Sequence, residues 1–262
     1  MTIGKNCAII TGGSSGFGKA LTLFLANKGI KVIVGDVDIK GGKELETEVN
    51  KEDKKIVFCE CDVTKEEDLI YLFEQANVHF GGAQIIVNNA GIGPSETFTT
   101  STSTIDPILD INLRSVLKGT SLAIQHFEQQ KSQNPQPKQD FCIINVASFA
   151  GLRPTSILPI YSITKGGVIY VTKLMGYLNE QGIRVNAVAP SFSPTKIIEE
   201  HLEKESFKQK IGLLGGFVPI DKVVDTIYKL IENKEYYGDV IALTPNSESL
   251  LPKDNLQAIF LN

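Results

Sequence analysis

A repeated alternation of short Val- and Ile-rich runs with helix-patterned stretches constrains this chain more than any other feature. "CAIIT", "KVIVGD", "KIVFCECD", "QIIVNNAG", "DFCIINVAS", "GIRVNAVAP" and "DVIAL" are the runs, and segments of helical pattern separate them. Strands that are apolar at nearly every position must be covered on both faces, which a parallel sheet with crossover helices provides. The expectation is therefore α/β: a single, doubly wound, seven-stranded and mainly parallel sheet with helices on both faces, spanning residues 1–262.

Helices are expected at Gly16–Lys28, at about Ile39–Asn50, over "TKEEDLIYLFEQANVHF", near Thr104–Gln130 and near Ile160–Leu178. "SETFTTSTSTID" reads as a Ser/Thr-rich loop that ends in an N-cap, and "EQQKSQNPQPKQD" as an exposed helix-to-strand connection. No internal repeat or linker divides the chain, and a length of 262 residues suits one α/β unit.

With a net charge of −4, only three arginines and no basic stripe, nothing favours a nucleic-acid partner. No apolar run approaches the roughly 20 residues that span a bilayer. "MTIGKNCAII" lacks the apolar core of a signal peptide, and "AIFLN" is no address or lipidation signal, so the expected location is cytoplasmic. Cys7, Cys59, Cys61 and Cys142 sit in or beside apolar runs. The Cys59–Cys61 pair reads as buried thiols, because no second Cys/His cluster completes a metal set; no metal is expected.

"TGGSSGFG", Thr11 to Gly18, lies between the first strand and the first helix. Gly12, Gly16 and Gly18 allow a sharp turn and a close approach to a pyrophosphate, and the helix N-terminus offers unpaired N–H groups to it. The strand-before, helix-after context is that of a dinucleotide fingerprint. "KVIVGD" ends at Asp36, suited to accept hydrogen bonds from adenosine ribose hydroxyls; Asp38 is a rival for the role. A carboxylate there repels a 2′-phosphate, and neither Val37 nor Ser15 supplies a cation, which selects NAD over NADP. "YSITKGG" places Tyr161 and Lys165 one helical turn apart. By spacing alone the pair means little, since roughly 0.6 such pairs arise by chance in this composition.

In order and spacing, these motifs resemble the short-chain dehydrogenase/reductase family from about Lys5 to Leu243. The glycine spacing Gly12-x3-Gly16-x-Gly18 is that family's, as are "NNAG", "CDVT", "INL", "NVASFAG" and "YSITK". The resemblance implies a Rossmann fold and NAD as cofactor. It places Gly12, Ser14, Ser15, Gly16, Phe17, Gly18, Asp36, Asp62, Val63, Asn89, Ala90, Gly91, Tyr161, Lys165, Pro190 and Thr195 at the cofactor. Asn112, Ser148, Tyr161 and Lys165 become the catalytic set, with the Ser-to-Tyr interval of 13 usual in the family. In that set Tyr161 removes the alcohol proton, and Lys165 favours the phenolate by its charge and binds the nicotinamide ribose. Ser148 orients the substrate oxygen, and Asn112 holds a water that links Lys165 to solvent. One departure stands out: the family's Pro-Gly after the sixth strand is Pro190-Ser191 here, with an added Pro194.

Substrate choice is expected from "FAGLRPTSILP" and from a loop at about 191–220 that includes "IGLLGGFVP". Both are apolar, and Gly215-Gly216 suits a mobile lid. The same residues could equally pack on their own core or on a partner subunit. "NVASFAGLRP", "GIRVNAVAP", "TKIIEEHLEKE" and "LIENKEYYGDVIAL" resemble the 15-hydroxyprostaglandin dehydrogenase-like branch of the family. That implies a lipid-like secondary alcohol or ketone of prostaglandin, steroid, retinoid or terpenoid type. A ketoreductase of sugar or acyl substrates, and a non-catalytic NAD-binding sensor or scaffold, are the alternatives. The family resemblance also implies a homodimer or homotetramer built on the two long helices.

Overall fold

The structure is a computed structural model that describes residues 7–93, 105–135, 139–154, 158–199 and 202–252. One sheet in the order β3-β2-β1-β4-β5-β6-β7-β8 runs through it. β1 (Cys7–Thr11), β2 (Lys31–Asp36), β3 (Ile56–Glu60), β4 (Ile85–Asn88), β5 (Phe141–Val146), β6 (Ile183–Pro190) and β7 (Val240–Thr244) are parallel. These are the seven apolar runs, and β1, β4, β5 and β6 are buried along their whole length.

The sheet has an eighth strand that the expectation of seven omits. β8 (Ser247–Leu250) pairs antiparallel with β7 across a two-residue turn, and every residue of it is exposed. "SESL" carries no apolar alternation because an edge strand on solvent buries neither face.

α1 (Gly16–Asn27) and α2 (Ile39–Val49) join the first three strands, and α3 (Glu66–Phe80) leads to β4. α4 (Ile105–Leu109), a π turn at Asp110–Arg114 and α5 (Ser115–Gln133) form one continuous helical run, so the helix expected near 104–130 is interrupted at Asn112. The Ser/Thr-rich stretch expected as a loop falls largely at 94–104, outside the described residues; of the second, 128–133 belong to the end of α5, and only 136–138 lie outside the described residues. α6 (Pro159–Leu174) opens with proline in its first turn, where the missing N–H costs nothing, and tightens into 3-10 geometry over Met175–Gln181. α7 (Lys196–Glu199), α8 (Glu205–Leu213) and α9 (Ile220–Glu232) follow β6. Val223, Val224, Ile227, Leu230 and Ile231 line one side of α9 and bury it on the sheet.

Several polar groups inside this core are paired with one another. Asn88 and Asn145 face each other across β4 and β5, with Asn88 Nδ2 donating to Asn145 Oδ1 at 2.9 Å and to Thr120 Oγ1 at 3.2 Å. Asn145 Nδ2 donates in turn to Thr172 Oγ1 at 3.0 Å. The chain ties α5, β4, β5 and α6 together directly beneath the strand ends that carry the site. Arg184 is 2% exposed and donates to Asp140 Oδ1 at 2.8 Å and to the carbonyls of Leu230 and Ile231 at 2.7 Å, closing the last turn of α9.

All four cysteines are buried and free, and burial pushes the thiols of Cys7 and Cys61 up to about 12. Among the described residues there is no group of His, Cys, Asp and Glu able to hold a metal, and no helix long and apolar enough to cross a membrane.

Candidate active site

The C-terminal ends of β1, β2, β4, β5 and β6 open into one cleft of about 480 Å³. Its floor at β1 is the glycine loop. Gly12 has φ +64°, and a β-carbon there would lie 2.9 Å from Ala90 Cα. A β-carbon at Gly18 would lie 2.1 Å from Gly12 O, so only glycine lets α1 start this close to the loop. Asn89 Nδ2 donates to Thr11 O and Gly12 O at 2.9 Å each, and Thr11 Oγ1 accepts from the N–H groups of Asn89 and Ala90 at 3.1 Å. "NNAG" thus braces the glycine loop from the neighbouring strand.

Asp36 and Asp38 sit in different surroundings. Asp38 caps α2, its Oδ1 accepting from Gly41 N at 3.0 Å. Asp36 lines the cleft and accepts from Ser14 N at 2.9 Å and Asp38 N at 3.0 Å. An ionised carboxylate offers about four acceptor positions, so two backbone N–H groups leave room for a ribose diol.

Ser148 follows β5 and accepts from Ala150 N at 3.2 Å. Tyr161 lies in the first turn of α6 and Lys165 one turn on, with Lys165 Nζ 5.8 Å from the centre of the Tyr161 ring. Lys165 is 4% exposed, and its Nζ donates to Val146 O at 2.9 Å. Burial pulls its ammonium from 10.5 down to about 8.

The Tyr161 phenol departs from expectation. Burial pushes it above its ordinary value, and the hydrogen bond with Ser148 pulls in the opposite direction without reversing the rise. Removal from water is the largest cause of the rise.

Asn112 is fully buried in the π turn, where its Oδ1 accepts from Ile92 N at 2.9 Å and its Nδ2 donates to Ile92 O at 3.0 Å. A β-carbon at Gly91 would lie 3.2 Å from Asn112 Oδ1 and 3.5 Å from Lys165 Nζ, so the two side chains meet at that glycine.

Ser15, Phe17, Asp62, Val63, Asn89, Ala90, Gly91, Pro190 and Thr195 line the cleft with Gly12, Gly16, Asp36, Ser148, Tyr161 and Lys165. Ser14, Gly18 and Asn112 lie outside the lining and support it from behind. Arg153, Phe192, Ser193, Lys196, Phe207 and Lys210, which fall within the two stretches expected to choose the substrate but are not individually marked by the sequence, also line the cleft. A β-carbon at Gly16 would lie 3.5 Å from Thr195 Cγ2, which brings the segment after β6 over the glycine loop.

A model of the short chain dehydrogenase family matches residues 6–206. The 15-hydroxyprostaglandin dehydrogenase (NAD+) of Homo sapiens is 32% identical over 258 residues, covering 93% of this chain and 92% of that protein. The 3-oxoacyl-(acyl-carrier-protein) reductase FabG of Thermotoga maritima is 31% identical over 246 residues, covering 92% and 96%. Among solved structures, the 3-ketoacyl-(acyl-carrier-protein) reductase from Brucella melitensis, complexed with NADH, superposes with a TM-score of 0.81 at 30% identity. That likeness covers 92% of this chain and 97% of the reductase. The chain belongs to the short chain dehydrogenase family of oxidoreductases.

Proposed function

We propose that the protein transfers a hydride between NAD(H) and a secondary alcohol or ketone borne on a hydrophobic, lipid-like substrate. The observation that carries this reading is the presence of Ser148, Tyr161 and Lys165 in the same cleft as the glycine loop and Asp36. The residues fit a dinucleotide: the loop has no room for a β-carbon at Gly18, and Asp36 keeps acceptor capacity after bracing Ser14. NAD, when bound, supplies the hydride acceptor in oxidation and the donor in reduction.

In oxidation Tyr161 takes the hydroxyl proton while Ser148 donates a hydrogen bond to the substrate oxygen. The phenol must first lose its own proton, a loss that the positive charges of Lys165 and the nicotinamide favour. In reduction the buried, protonated phenol is a ready donor to the developing alkoxide. Asn112 fixes the π turn beside Lys165, and a water held there joins the ammonium to solvent.

Phe149, Leu158, Phe192, Ile198, Phe207 and Leu214 give the rest of the cleft an apolar wall, which suits a hydrocarbon body. Residues 191–220 act as the substrate loop, with glycines of positive φ at 215 and 216 as its hinge. A second reading, reduction of an acyl-chain ketone, is favoured by the likeness to the 3-oxoacyl reductases and by Arg153, Lys196 and Lys210 in the same cleft.

Ile163, Tyr170 and Leu174 lie exposed at helical spacing on α6, and Leu117 is exposed on α5. They support a homodimer or homotetramer, which light scattering would register as a multiple of the 28.6 kDa chain. The four buried thiols suit a reducing compartment such as the cytoplasm. A panel of lipid secondary alcohols and 3-oxoacyl thioesters, assayed in both directions with NAD(H) and NADP(H), tests the function. NADH formation from the lipid alcohols is expected; turnover confined to NADP(H), or to the thioesters, overturns the reading.

A further inference from the structure

The turn that carries Ser148 lies directly on the helix that carries Tyr161. Phe149–Gly151 form one turn of 3-10 helix after β5, with Ser148 at its start. Gly151 N donates to Ser148 O at 2.9 Å, and the N–H groups of Leu152 and Arg153 donate to Phe149 O at 3.0 and 2.9 Å. Ser148 Oγ accepts from Ala150 N at 3.2 Å, which ties the serine hydroxyl to the same turn. Residues 148–153 are thus one hydrogen-bonded unit, and a push on the turn is passed to that hydroxyl.

The unit meets α6 at a point where no side chain fits. A β-carbon at Gly151 would lie 2.5 Å from Lys165 C, 2.6 Å from Gly166 N and 2.7 Å from Lys165 O. All three are backbone atoms of a packed helix, which cannot turn aside as the tip of a side chain can. From the facing side the fit is ordinary, since a β-carbon at Gly166 would stand 3.5 Å from Gly151 O. The exclusion therefore belongs to Gly151. The β5 end of the unit is held independently. Lys165 Nζ donates to Val146 O at 2.9 Å, and Ala147 N donates to Val188 O at 2.8 Å. With that end fixed, a turn forced off α6 has to pivot near Ser148. Gly151 itself does not line the cleft, whereas Phe149, Ala150 and Arg153 do, so an added methyl group would act through the turn.

We infer that the absence of a side chain at Gly151 sets the reach of Ser148 to Tyr161 and to the substrate oxygen. Gly151 is a positioning residue for proton transfer, with its backbone seated on that of Lys165 and Gly166. The assignment rests on the hydride-transfer reading above, in which Ser148 and Tyr161 share the substrate oxygen.

Single-turnover NADH formation by wild type, Gly151→Ala, Ser148→Ala and the double variant tests it, with NAD and the best lipid alcohol from the panel across about pH 6 to 10. Ser148→Ala should slow the step about a hundredfold, the loss of one oriented donor, and Gly151→Ala at least tenfold, the scale of a misplaced group. The double variant should match Ser148→Ala within about threefold, because a hydroxyl already deleted cannot be misplaced. NADH affinity should stay within about twofold throughout, since the glycine loop and Asp36 are untouched. Both single variants should move the rise of rate to higher pH, as the Ser148 hydrogen bond pulls the phenol down. A loss of stability alone would leave that profile in place. Gly166→Ala, with room for its methyl group, should keep the wild-type rate within about twofold. Should Gly151→Ala melt below the assay temperature, Gly166→Val pushes Gly151 O from the helix side and enters the same cycle in its place. A wild-type rate in the displaced variant, or losses that multiply when Ser148→Ala is added, would overturn the inference. Wild type without turnover on any alcohol of the panel would remove the hydride-transfer reading, and this inference with it.

Discussion

Replacing Lys165 by methionine removes a buried ammonium whose cost can be worked from the structure. The group falls from 10.5 to about 8 on folding, a difference of about 2.5 in pKa. At 1.36 kcal/mol per unit, this corresponds to about 3 kcal/mol of destabilisation of the free protein near neutral pH. The sign follows from linkage. Between about pH 8 and 10.5 the unfolded chain binds the proton that the folded chain has released, so stability rises with pH across that window. Below pH 8 the penalty is felt in full. Against it stands the hydrogen bond from Nζ to Val146 O at 2.9 Å, worth about 1 kcal/mol net. Methionine has similar length and no charge, so Lys165→Met should stabilise the ligand-free protein by about 2 kcal/mol at pH 7, roughly 5 °C in Tm. The advantage should vanish by about pH 10. Differential scanning calorimetry at both pH values, with protomer concentration held fixed, is the assay. A variant that melts below wild type at pH 7, or a gap independent of pH, would refute the reasoning. Turnover should be lost throughout, giving a residue that is costly to fold and needed for the chemistry.

Two further substitutions separate binding from scaffold. Asp36→Ala should raise the Kd for NADH at least tenfold by removing the acceptor for the ribose diol, and should narrow the preference over NADPH; fluorescence titration with both cofactors reads it. It should also lower stability by about 2 kcal/mol in urea, because the N–H groups of Ser14 and Asp38 lose their partner. Arg184→Met should cost about 3–5 kcal/mol in the same urea experiment, since it breaks the buried pair with Asp140 and leaves the carbonyls that end α9 without their donor. Turnover per folded molecule should be unchanged there, because Arg184 lies outside the cleft.

The alternation of apolar runs was enough to read seven strands and their direction, because parallel strands buried on both faces leave that mark in composition. β8 left none, since the exposed "SESL" is held by a turn and by the edge of β7. The π turn at Asp110–Arg114 was equally silent: Asn112 breaks the helical repeat by bonding both polar atoms of Ile92, which lies 20 residues away in sequence. The cross-strand Asn88–Asn145 pair depends on register, and register is not written in either strand by itself. In the site, fixed intervals made Ser148, Tyr161 and Lys165 legible. What spacing could not give was the balance at Tyr161, where burial raises the phenol against the pull of Ser148. Ser193 and Lys210 fall within the 191–220 stretch expected as the substrate loop, but which of its residues line the cleft depends on how the fold lays α8 and the segment after β6 over it.

The central claim is that Tyr161 moves the substrate proton while the glycine loop and Asp36 hold NAD. Its most direct test is the appearance of NADH absorbance when wild type and Tyr161→Phe are given NAD and the best lipid alcohol from the panel, with NADH affinity measured on both. Phenylalanine keeps the ring in α6 and deletes only the hydroxyl that meets Ser148. The predicted result is turnover reduced at least a thousandfold, within the range for loss of a positioned acid or base, at a cofactor Kd within about threefold of wild type. Turnover that survives in Tyr161→Phe would contradict the account.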